Sequence, residues 1–391
     1  MLQSKPLRQA QPDWSAWREE FPGLQKSVYM NTVSLGQLSR RSRTAVNRFL
    51  DLWTERGASA WYGFWLAEVD SLRKEFAHLI GASLEEVAVL PNISSALAAI
   101  SSSLDFSRRK RVVACELDFP TLTHHFLARR SEGLELTILP SPDKISMPLE
   151  AFDQAIDEQT ALVATNRVYF TTGYIQDVKA LADIAHRKGA LCLIDDYQGT
   201  GQVPIDVKKA GVDFLLTGGL KWLIGGPGVA YMYVRRDLIP ELNPRVAGWF
   251  GHRRQFDFDP YTLEFRQDAR RFEAGTPAMA AVYAAKAGLE IINEIGPQQL
   301  RQRTAALNQD LVARLQERGY TLRIPADPNR QAGITILESS DPMMLTRALA
   351  KRDIIVDKRP GAVRISPYFY NTVEENEITV AAIDEILKPY Q

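Results

Sequence analysis

A lysine and an aspartate stand at the ends of two apolar runs in the middle of the chain. Residues 191–194 form an apolar run that ends on Asp195, and a second run, 212–216, leads to Lys221 among glycines. Runs this short and apolar are typical of strands buried on both faces of a helix-covered sheet. Ligands in such folds lie beyond the carboxyl ends of the strands, so both side chains are predicted to lie there.

Pyridoxal 5'-phosphate chemistry needs an amine and an acid in this arrangement. The amine of Lys221 would form a Schiff base with the cofactor aldehyde. The carboxylate of Asp195 would keep the pyridine nitrogen protonated, so that the ring can accept electrons from a carbanion. The alternatives are a solvated surface lysine and an aspartate that only ends a strand. The ordered apolar context favours the cofactor.

The stretch 191–234 resembles the cofactor-binding core of the class V aminotransferase family, which includes cysteine desulfurases, kynureninases and several transaminases. The matching elements are IDDYQ at 194–198, VPID at 203–206, GVDF at 211–214 and KWL at 221–223. By resemblance, Asp195 holds the ring nitrogen, Gln198 contacts the phenolic oxygen and Lys221 carries the aldehyde. Asp196 and Tyr197 are interpreted as structural.

The resemblance also implies the architecture, an α/β fold of type I. A large αβα domain with a mostly parallel seven-stranded sheet would occupy residues 31–284. A smaller α+β domain would follow at 285–391, and residues 1–30 would form an arm that packs on the body. The alternation of apolar strand-like and helical segments agrees with parallel strands joined by crossovers.

A phosphate cradle is predicted at the start of the helix that follows residues 91–95. The first N–H groups of a helix are free and its dipole favours an anion. The resemblance implies that Ser94 and Ser95 are phosphate ligands, although capping by Asn92 or Ser94 alone would also explain the sequence.

Two features depart from the family pattern. Related chains carry a serine three residues before the lysine and a histidine or tyrosine directly before it, whereas this chain has Gly218 and Leu220. Thr217 is the nearest hydroxyl and is the predicted substitute. Phe170 stands where the family often has an asparagine that contacts the phenolic oxygen.

Further site residues come from the same resemblance. Phe119 is predicted to stack on the cofactor ring, and its alternative is plain core. Trp249 lies in GWFGH at 248–252, which resembles a kynureninase-like cofactor element. Thr276 lies in a segment that reaches the neighbouring subunit's phosphate in the family, which implies an obligate homodimer.

The substrate end is predicted around Arg364, in the segment 357–366. A guanidinium can grip a carboxylate with two hydrogen bonds; an internal salt bridge is the alternative. Asn31, after a short strand near the N-terminus, is carried over as a second substrate-binding residue.

Composition sets the remaining limits. The 391 residues contain 47 basic and 47 acidic side chains, which gives no general attraction to nucleic acid or anionic membranes. No signal peptide or membrane-spanning run is evident, so a cytoplasmic protein is expected. The two cysteines, Cys115 and Cys192, are read as buried thiols, and the five histidines form no metal-spaced cluster.

The leading functional hypothesis is a class V aminotransferase that acts on an amino acid or amine. A lyase, kynureninase-like or cleaving a carbon–sulfur bond, or an epimerase is the alternative. Persulfide-forming chemistry is disfavoured because no cysteine follows Gly201. Kynureninases carry Asn-Pro where this chain has Thr276-Pro277. A PLP-binding module without activity, or a DNA-binding fusion, is disfavoured by the site residues and by the chain length.

Overall fold

The computed structural model describes residues 12–388 as twelve strands and twelve α-helices, joined by short 3-10 turns and one π-helical turn, Trp61–Trp65. The strands are β1 Val28–Tyr29, β2 Val87–Leu90, β3 Arg111–Cys115, β4 Glu135–Leu139, β5 Thr160–Asn166, β6 Leu191–Asp195, β7 Phe214–Gly218, β8 Ala230–Val234, β9 Thr335–Glu338, β10 Ile354–Ile355, β11 Asp357–Arg359 and β12 Ala362–Ile365. The helices are α1 Trp14–Glu19, α2 Arg40–Arg56, α3 Leu66–Ile80, α4 Ile93–Ser103, α5 Pro120–Leu127, α6 Leu149–Ala155, α7 Val178–Arg187, α8 Val207–Ala210, α9 Met279–Ile295, α10 Pro297–Glu317, α11 Pro342–Ala350 and α12 Val373–Leu387.

The central sheet has seven strands in the order β2-β8-β7-β6-β5-β3-β4. All neighbouring pairs are parallel except those made by β8, which runs antiparallel to β2 and to β7. Because β8 runs antiparallel to both of its neighbours, β2 points the same way as β7 and β6. The carboxyl ends of these strands therefore share one edge, which confirms the predicted mostly parallel seven-stranded sheet.

Two apolar layers cover the sheet. Ile194 and Leu215 belong to one core cluster, whereas Leu193, Phe214 and Leu216 belong to the other. Successive side chains on a strand point to opposite faces, so a strand with helices on both sides must be apolar throughout. This explains why β6 and β7 show no alternation of polar and apolar residues.

The C-terminal part of the chain builds a separate sheet. Strands β11, β12 and β9 pair in that order, all antiparallel, and α10, α11 and α12 pack beside them. The predicted boundary at 284 and 285 falls inside α9, a continuous helix that also packs against α2 and α3. The two-domain division therefore stays a proposal, without a break at that residue.

The N-terminal segment lies against this C-terminal part. Strand β1 pairs in parallel with β10, and the Arg18 guanidinium donates to the Glu375 carboxylate at 2.7 Å and to the Tyr370 carbonyl at 2.6 Å. Residues 1–11 of the predicted arm lie outside the described residues. Within residues 12–388, no helix combines the length and apolar character needed to cross a bilayer.

Candidate active site

A cavity of 370 Å³ opens at the carboxyl ends of β2, β5 and β6 and beside the loop that follows β7. Its polar lining residues are Asn92, Ser94, Thr121, Asn166, Asp195, Tyr197, Gln198 and Lys221. Phe119 and Phe170 supply apolar surface on one side. The edge of the sheet chosen from the sequence therefore holds a cavity that contains both Asp195 and Lys221.

Asp195 ends β6 and is 2% exposed. One carboxylate oxygen, Oδ1, accepts a hydrogen bond from the Tyr197 backbone N–H at 3.0 Å. Burial raises the pKa of Asp195 to about 6, although the positive charge of Lys221 acts against the rise. A buried carboxylate with a single backbone partner is well placed to pair with a cationic ring nitrogen.

Lys221 presents an amine of lowered basicity to the cavity. Burial lowers its pKa to about 7; the nearby Arg364 charge lowers it further and Asp195 opposes the change. The Nζ atom lies 4.5 Å from the Tyr197 ring centroid and 5.6 Å from that of Phe119. A large fraction of this amine is therefore neutral near pH 7, which is the nucleophilic form.

Asp196 and Gln198, which follow Asp195 in sequence, have different roles. Asp196 is fully buried and makes a two-point ion pair with Arg167 at 2.7 and 2.8 Å, which agrees with its interpretation as structural. Gln198 lines the cavity, and its amide donates to the Val33 carbonyl at 3.3 Å while accepting from Trp222 Nε1 at 2.9 Å. These bonds fix the orientation of the Gln198 side chain.

At the predicted phosphate end, Asn92 caps α4. Its Oδ1 atom accepts from both the N–H and the hydroxyl of Ser95, at 2.9 and 3.1 Å. Ser94 lines the cavity, whereas Ser95 lines an adjoining cavity that shares Pro91 and Gly228 with it. Helix capping thus occupies both the N–H and the hydroxyl of Ser95 within one chain. The phosphate contact of Ser95 stays a prediction.

Thr217 does not lie in the cavity. It is fully buried within β7, and its hydroxyl donates to the Asp196 carbonyl at 3.4 Å. The strand places this side chain inside the protein, so its predicted role as the substitute phosphate ligand is contradicted by the structure.

Asn166 is a site residue that the sequence analysis missed. Its Nδ2 atom donates to the Asp195 carbonyl at 3.2 Å, and its Oδ1 atom accepts from the Phe119 N–H at 2.8 Å. It thereby links the ends of β5 and β6 to the residue predicted to stack on the ring. A polar residue directly after the apolar run of β5 was the available signal.

The buried carboxylate of Asp118 holds Asn166 in place. Asp118 accepts hydrogen bonds from the Asn166 N–H at 2.7 Å, the Thr165 hydroxyl at 2.7 Å and the Cys115 N–H at 2.8 Å. Burial raises its pKa to about 7. These bonds hold the loop before Phe119 against the end of β5.

Trp249 and Thr276 lie away from the cavity of their own chain. Trp249 is 43% exposed and contacts the rings of Phe250, Phe256 and Phe258. Thr276 lines the adjoining cavity. Within one chain the structure does not bring either residue to Lys221.

Arg364 and Asn31, the predicted substrate-binding residues, do not line the cavity themselves, although Arg364 contacts Phe170 at its edge. The Arg364 side chain is 1% exposed and donates to the Asp357 carboxylate at 2.8 Å, the Ser34 hydroxyl at 2.9 Å and the Phe170 carbonyl at 3.1 Å. The internal salt bridge weighed from the sequence is therefore present. The Nε atom of Arg364 has no hydrogen-bond partner within residues 12–388, and neither has Asn31 Oδ1.

Comparison with known proteins shows what the chain is similar to. The family model "Aminotransferase class-V" matches residues 56–378. An uncharacterized aminotransferase, YcbU, of Bacillus subtilis (strain 168) is 36% identical over 370 residues, which cover 95% of this chain and 96% of that protein. A kynureninase of Bacillus anthracis is 29% identical over 390 residues, covering 95% and 91%.

Solved structures share the fold. A cysteine desulfurase from Thermococcus onnurineus NA1, in its apo form, aligns with a TM-score of 0.88 at 22% identity, over 98% of this chain and 99% of that one. The cystine C-S lyase C-DES in complex with cysteine persulfide aligns with a TM-score of 0.86 at 19% identity, covering 93% and 98%.

The residues of the cavity fit the family's cofactor, pyridoxal 5'-phosphate. Asp195 suits the ring nitrogen because it is a buried carboxylate with a single backbone partner, and Lys221 suits the aldehyde because burial lowers the pKa of its amine to about 7. The start of α4 borders the same cavity and favours an anionic phosphate. The cofactor expected from the sequence is thus confirmed by the family and accommodated by the site.

Proposed function

The chain belongs to the class V aminotransferase family, and we propose that it is an aminotransferase that moves an amino group from an amino acid or amine to a keto acid. The observation that carries the proposal is the pairing of Lys221 and Asp195 in one cavity. The similarity to a named aminotransferase over 95% of the chain also supports it.

Each site residue has a defined task in this proposal. The bound cofactor supplies an electron sink for the carbanion that forms at the substrate α-carbon. Asp195 would keep the ring nitrogen charged, and Phe119 would cover one face of the ring; both residues line the cavity. Lys221, whose pKa lies near 7, removes a proton from the α-carbon and returns one during the exchange. Arg364 binds the substrate carboxylate.

The positions of the thiols argue against persulfide chemistry. Cys115 and Cys192 are both fully buried in strands. Burial raises the pKa of each thiol above its usual range, with Asp118 and Asp213 acting in the same direction. Because the thiolate is the reactive form, neither cysteine can serve as a sulfur acceptor.

The test follows the visible absorbance of the bound cofactor in purified protein. Amino donors are added one at a time without a keto acid, and keto acids are added afterwards. The aminotransferase proposal expects the absorbance band to disappear with a donor and to return with an acceptor, with one new amino acid formed per turnover. A band that no donor changes would contradict it.

A lyase of the kynureninase type is the second candidate. It is favoured by the 29% identity to kynureninases and by Phe119-Pro120 and the segment 248–252, which resemble elements of those enzymes. Release of pyruvate, alanine or ammonia without a keto acid would support this alternative. Racemisation of a donor without net transfer would instead indicate an epimerase.

We further propose that the enzyme is a homodimer in the cytoplasm, whose active sites receive Thr276 and Trp249 from the partner. Neither residue lines the cavity of its own chain. Trp249 is 43% exposed and contacts Phe256 and Phe258, which are 45% and 70% exposed. The free thiols of Cys115 and Cys192 agree with a reducing compartment.

Subunit mixing tests the dimer. Lys221→Ala and Thr276→Asp are each expected to be inactive alone. A heterodimer would combine an intact lysine in one subunit with an intact Thr276 in the other, and would restore roughly a quarter of the wild-type activity after random mixing. Sedimentation velocity measures the dimer directly. Activity that stays absent in a mixture of confirmed heterodimers would contradict sharing of the site.

A further inference from the structure

The side of the cavity formed by β7 lacks the hydroxyl that the sequence analysis assigned to it. Thr217 is buried elsewhere, and the next two positions are Gly218 and Gly219, with Leu220 before the lysine. A phosphate dianion needs several donors, and α4 can supply them only from the β2 side. Positions 217–220 of the chain therefore place no side-chain hydroxyl in the cavity.

Tyr197 occupies the space directly above Gly218. A Cβ atom built on Gly218 would collide with the Cζ and hydroxyl oxygen of the Tyr197 ring. The φ angle of Gly218 is not positive, so its backbone conformation does not require glycine. The absence of a side chain at 218 thus makes room for the phenol of Tyr197.

The strand register places this phenol between Asp195 and the start of α4, the two groups that would hold the ring nitrogen and the phosphate. Leu90 of β2, Ala230 of β8 and Gly218 of β7 lie side by side, and Asp195 ends the next strand, β6. The start of α4 directly follows β2, so Gly218 lies between Asp195 and the start of α4. Neighbouring strands are about 4.8 Å apart, so the Tyr197 hydroxyl stands on the phosphate side of the ring-nitrogen site.

The Tyr197 hydroxyl is available for a ligand. The residue lines the cavity, and its hydroxyl makes no hydrogen bond with any group of residues 12–388. Burial raises the pKa of Tyr197, and the Asp195 charge adds to the rise, so the hydroxyl keeps its proton and can act as a donor. The face of the same ring lies 4.5 Å from Lys221 Nζ, which keeps the phenol beside the lysine.

We propose that Tyr197 is a cofactor-binding residue whose hydroxyl donates a hydrogen bond to the phosphate of pyridoxal 5'-phosphate, in the space that Gly218 leaves open. This corrects the interpretation of Tyr197 as structural and replaces Thr217 in the predicted phosphate site. The inference depends on the cofactor and not on the reaction, so it stands whether the enzyme is an aminotransferase or a lyase.

The test compares two cofactors that differ only in the phosphate. Dissociation constants of apoprotein for pyridoxal 5'-phosphate and for pyridoxal are measured by titration of absorbance, in wild type and in Tyr197→Phe. A hydrogen bond to a charged group predicts that Tyr197→Phe weakens binding of the phosphorylated form about tenfold to a hundredfold. Binding of pyridoxal is expected to stay unchanged.

Tyr231→Phe is the matched control. Tyr231 is a fully buried tyrosine of β8 that stacks on Phe76 and does not line the cavity. Its variant is expected to keep the wild-type ratio of the two dissociation constants. Equal weakening of both cofactors by Tyr197→Phe would overturn the proposal, and so would no change in either.

A second pair of variants moves the phenol without removing it. Gly218→Ala places a methyl group against the Tyr197 ring and should lower the preference for the phosphorylated form. Gly219→Ala is its control, because a Cβ there meets its nearest neighbour at an ordinary 3.6 Å. A wild-type preference in Gly218→Ala would count against the proposal, even if Tyr197→Phe did not fold.

Discussion

Replacement of Lys221 by methionine should stabilise the apoprotein, and the gain should depend on pH. Lys221→Met removes the ionisable amine but retains an unbranched side chain of similar length. The pKa of the folded lysine is lowered from 10.5 to about 7, mainly by burial. The unfolded chain therefore binds more protons than the folded chain between about pH 7 and 10.5, and wild-type stability rises with pH across that window.

The magnitude follows from the two pKa values. At pH 6 the folded and unfolded lysines both hold the proton, and the buried charge costs the fold roughly 5 kcal/mol. At pH 9 the folded lysine is neutral while the unfolded one is still protonated, and roughly 2 kcal/mol remains. The stability advantage of Lys221→Met should therefore shrink by about 3 kcal/mol between pH 6 and 9.

The neighbouring carboxylate changes the result in the same direction. Removal of the Lys221 charge raises the pKa of Asp195 beyond its present value of about 6. A group whose folded pKa is raised loses stability as pH rises through that value. The variant therefore loses additional stability at high pH. The difference in the free energy of unfolding between Lys221→Met and wild type shrinks further as a result.

Urea unfolding of the two apoproteins at pH 6 and pH 9, followed by tryptophan fluorescence, measures this gap. Subtracting the wild-type free energy of unfolding from that of the variant removes the contributions of groups that titrate alike in both proteins. Lys209→Met is the control, because the Lys209 side chain is 87% exposed and its removal should give a gap that hardly changes with pH. A constant gap for Lys221→Met would refute the assignment of a depressed pKa to this lysine.

Three further substitutions have defined outcomes. Asp195→Asn should retain the cofactor but lower the rate of α-proton exchange by about a hundredfold or more, measured by loss of deuterium from a labelled donor, because the ring nitrogen loses its charged partner. Asn166→Ala should lower the free energy of unfolding by about 1–3 kcal/mol in urea titrations, since the Phe119 N–H and the Asp195 carbonyl lose a partner; an unchanged midpoint would contradict the link. Arg364→Met should raise KM for a carboxylate donor about tenfold or more in steady-state assays, and an unchanged KM would contradict substrate binding by this guanidinium; the loss of stability should stay small, because the Asp357 carboxylate keeps its ion pair with Arg359 at 2.8 Å and its hydrogen bond from Ser34 at 2.7 Å.

The arrangement of the sheet could be predicted because burial on both faces leaves a direct trace in the sequence. Residues 191–194 of β6 and 214–216 of β7 are apolar throughout, and the polar residues beyond them mark the edge where ligands bind. Asp195 and Lys221 were identified in this way. Gly81 leaves a comparable trace at the end of α3, because its left-handed backbone (φ 70°) favours glycine.

Other features of the site depend on contacts between distant segments and leave no periodic trace. Asn166 acts through hydrogen bonds to Phe119 and Asp195, 47 and 29 residues away in sequence. Glycine is required at position 218 because the ring of Tyr197 packs against it, and this contact between residues 21 apart cannot be read from the sequence. The continuity of α9 across the proposed boundary at 284 and 285 also leaves no trace in composition, because the helix packs against α2 and α3 of the large sheet's layer as well as leading into α10.

The pairing of the two ends of the chain has a consequence for biosynthesis. Ser34 bonds to Asp357 across 323 residues, and Arg18 to Glu375 across 357. At about 5–20 residues per second, a ribosome needs about 16–65 seconds to make the intervening 323 residues. The N-terminal segment must therefore wait without its partners while the central sheet is already able to form. Contacts of such long sequence separation fold slowly, so the pocket around Arg364 should be completed after the central sheet has formed.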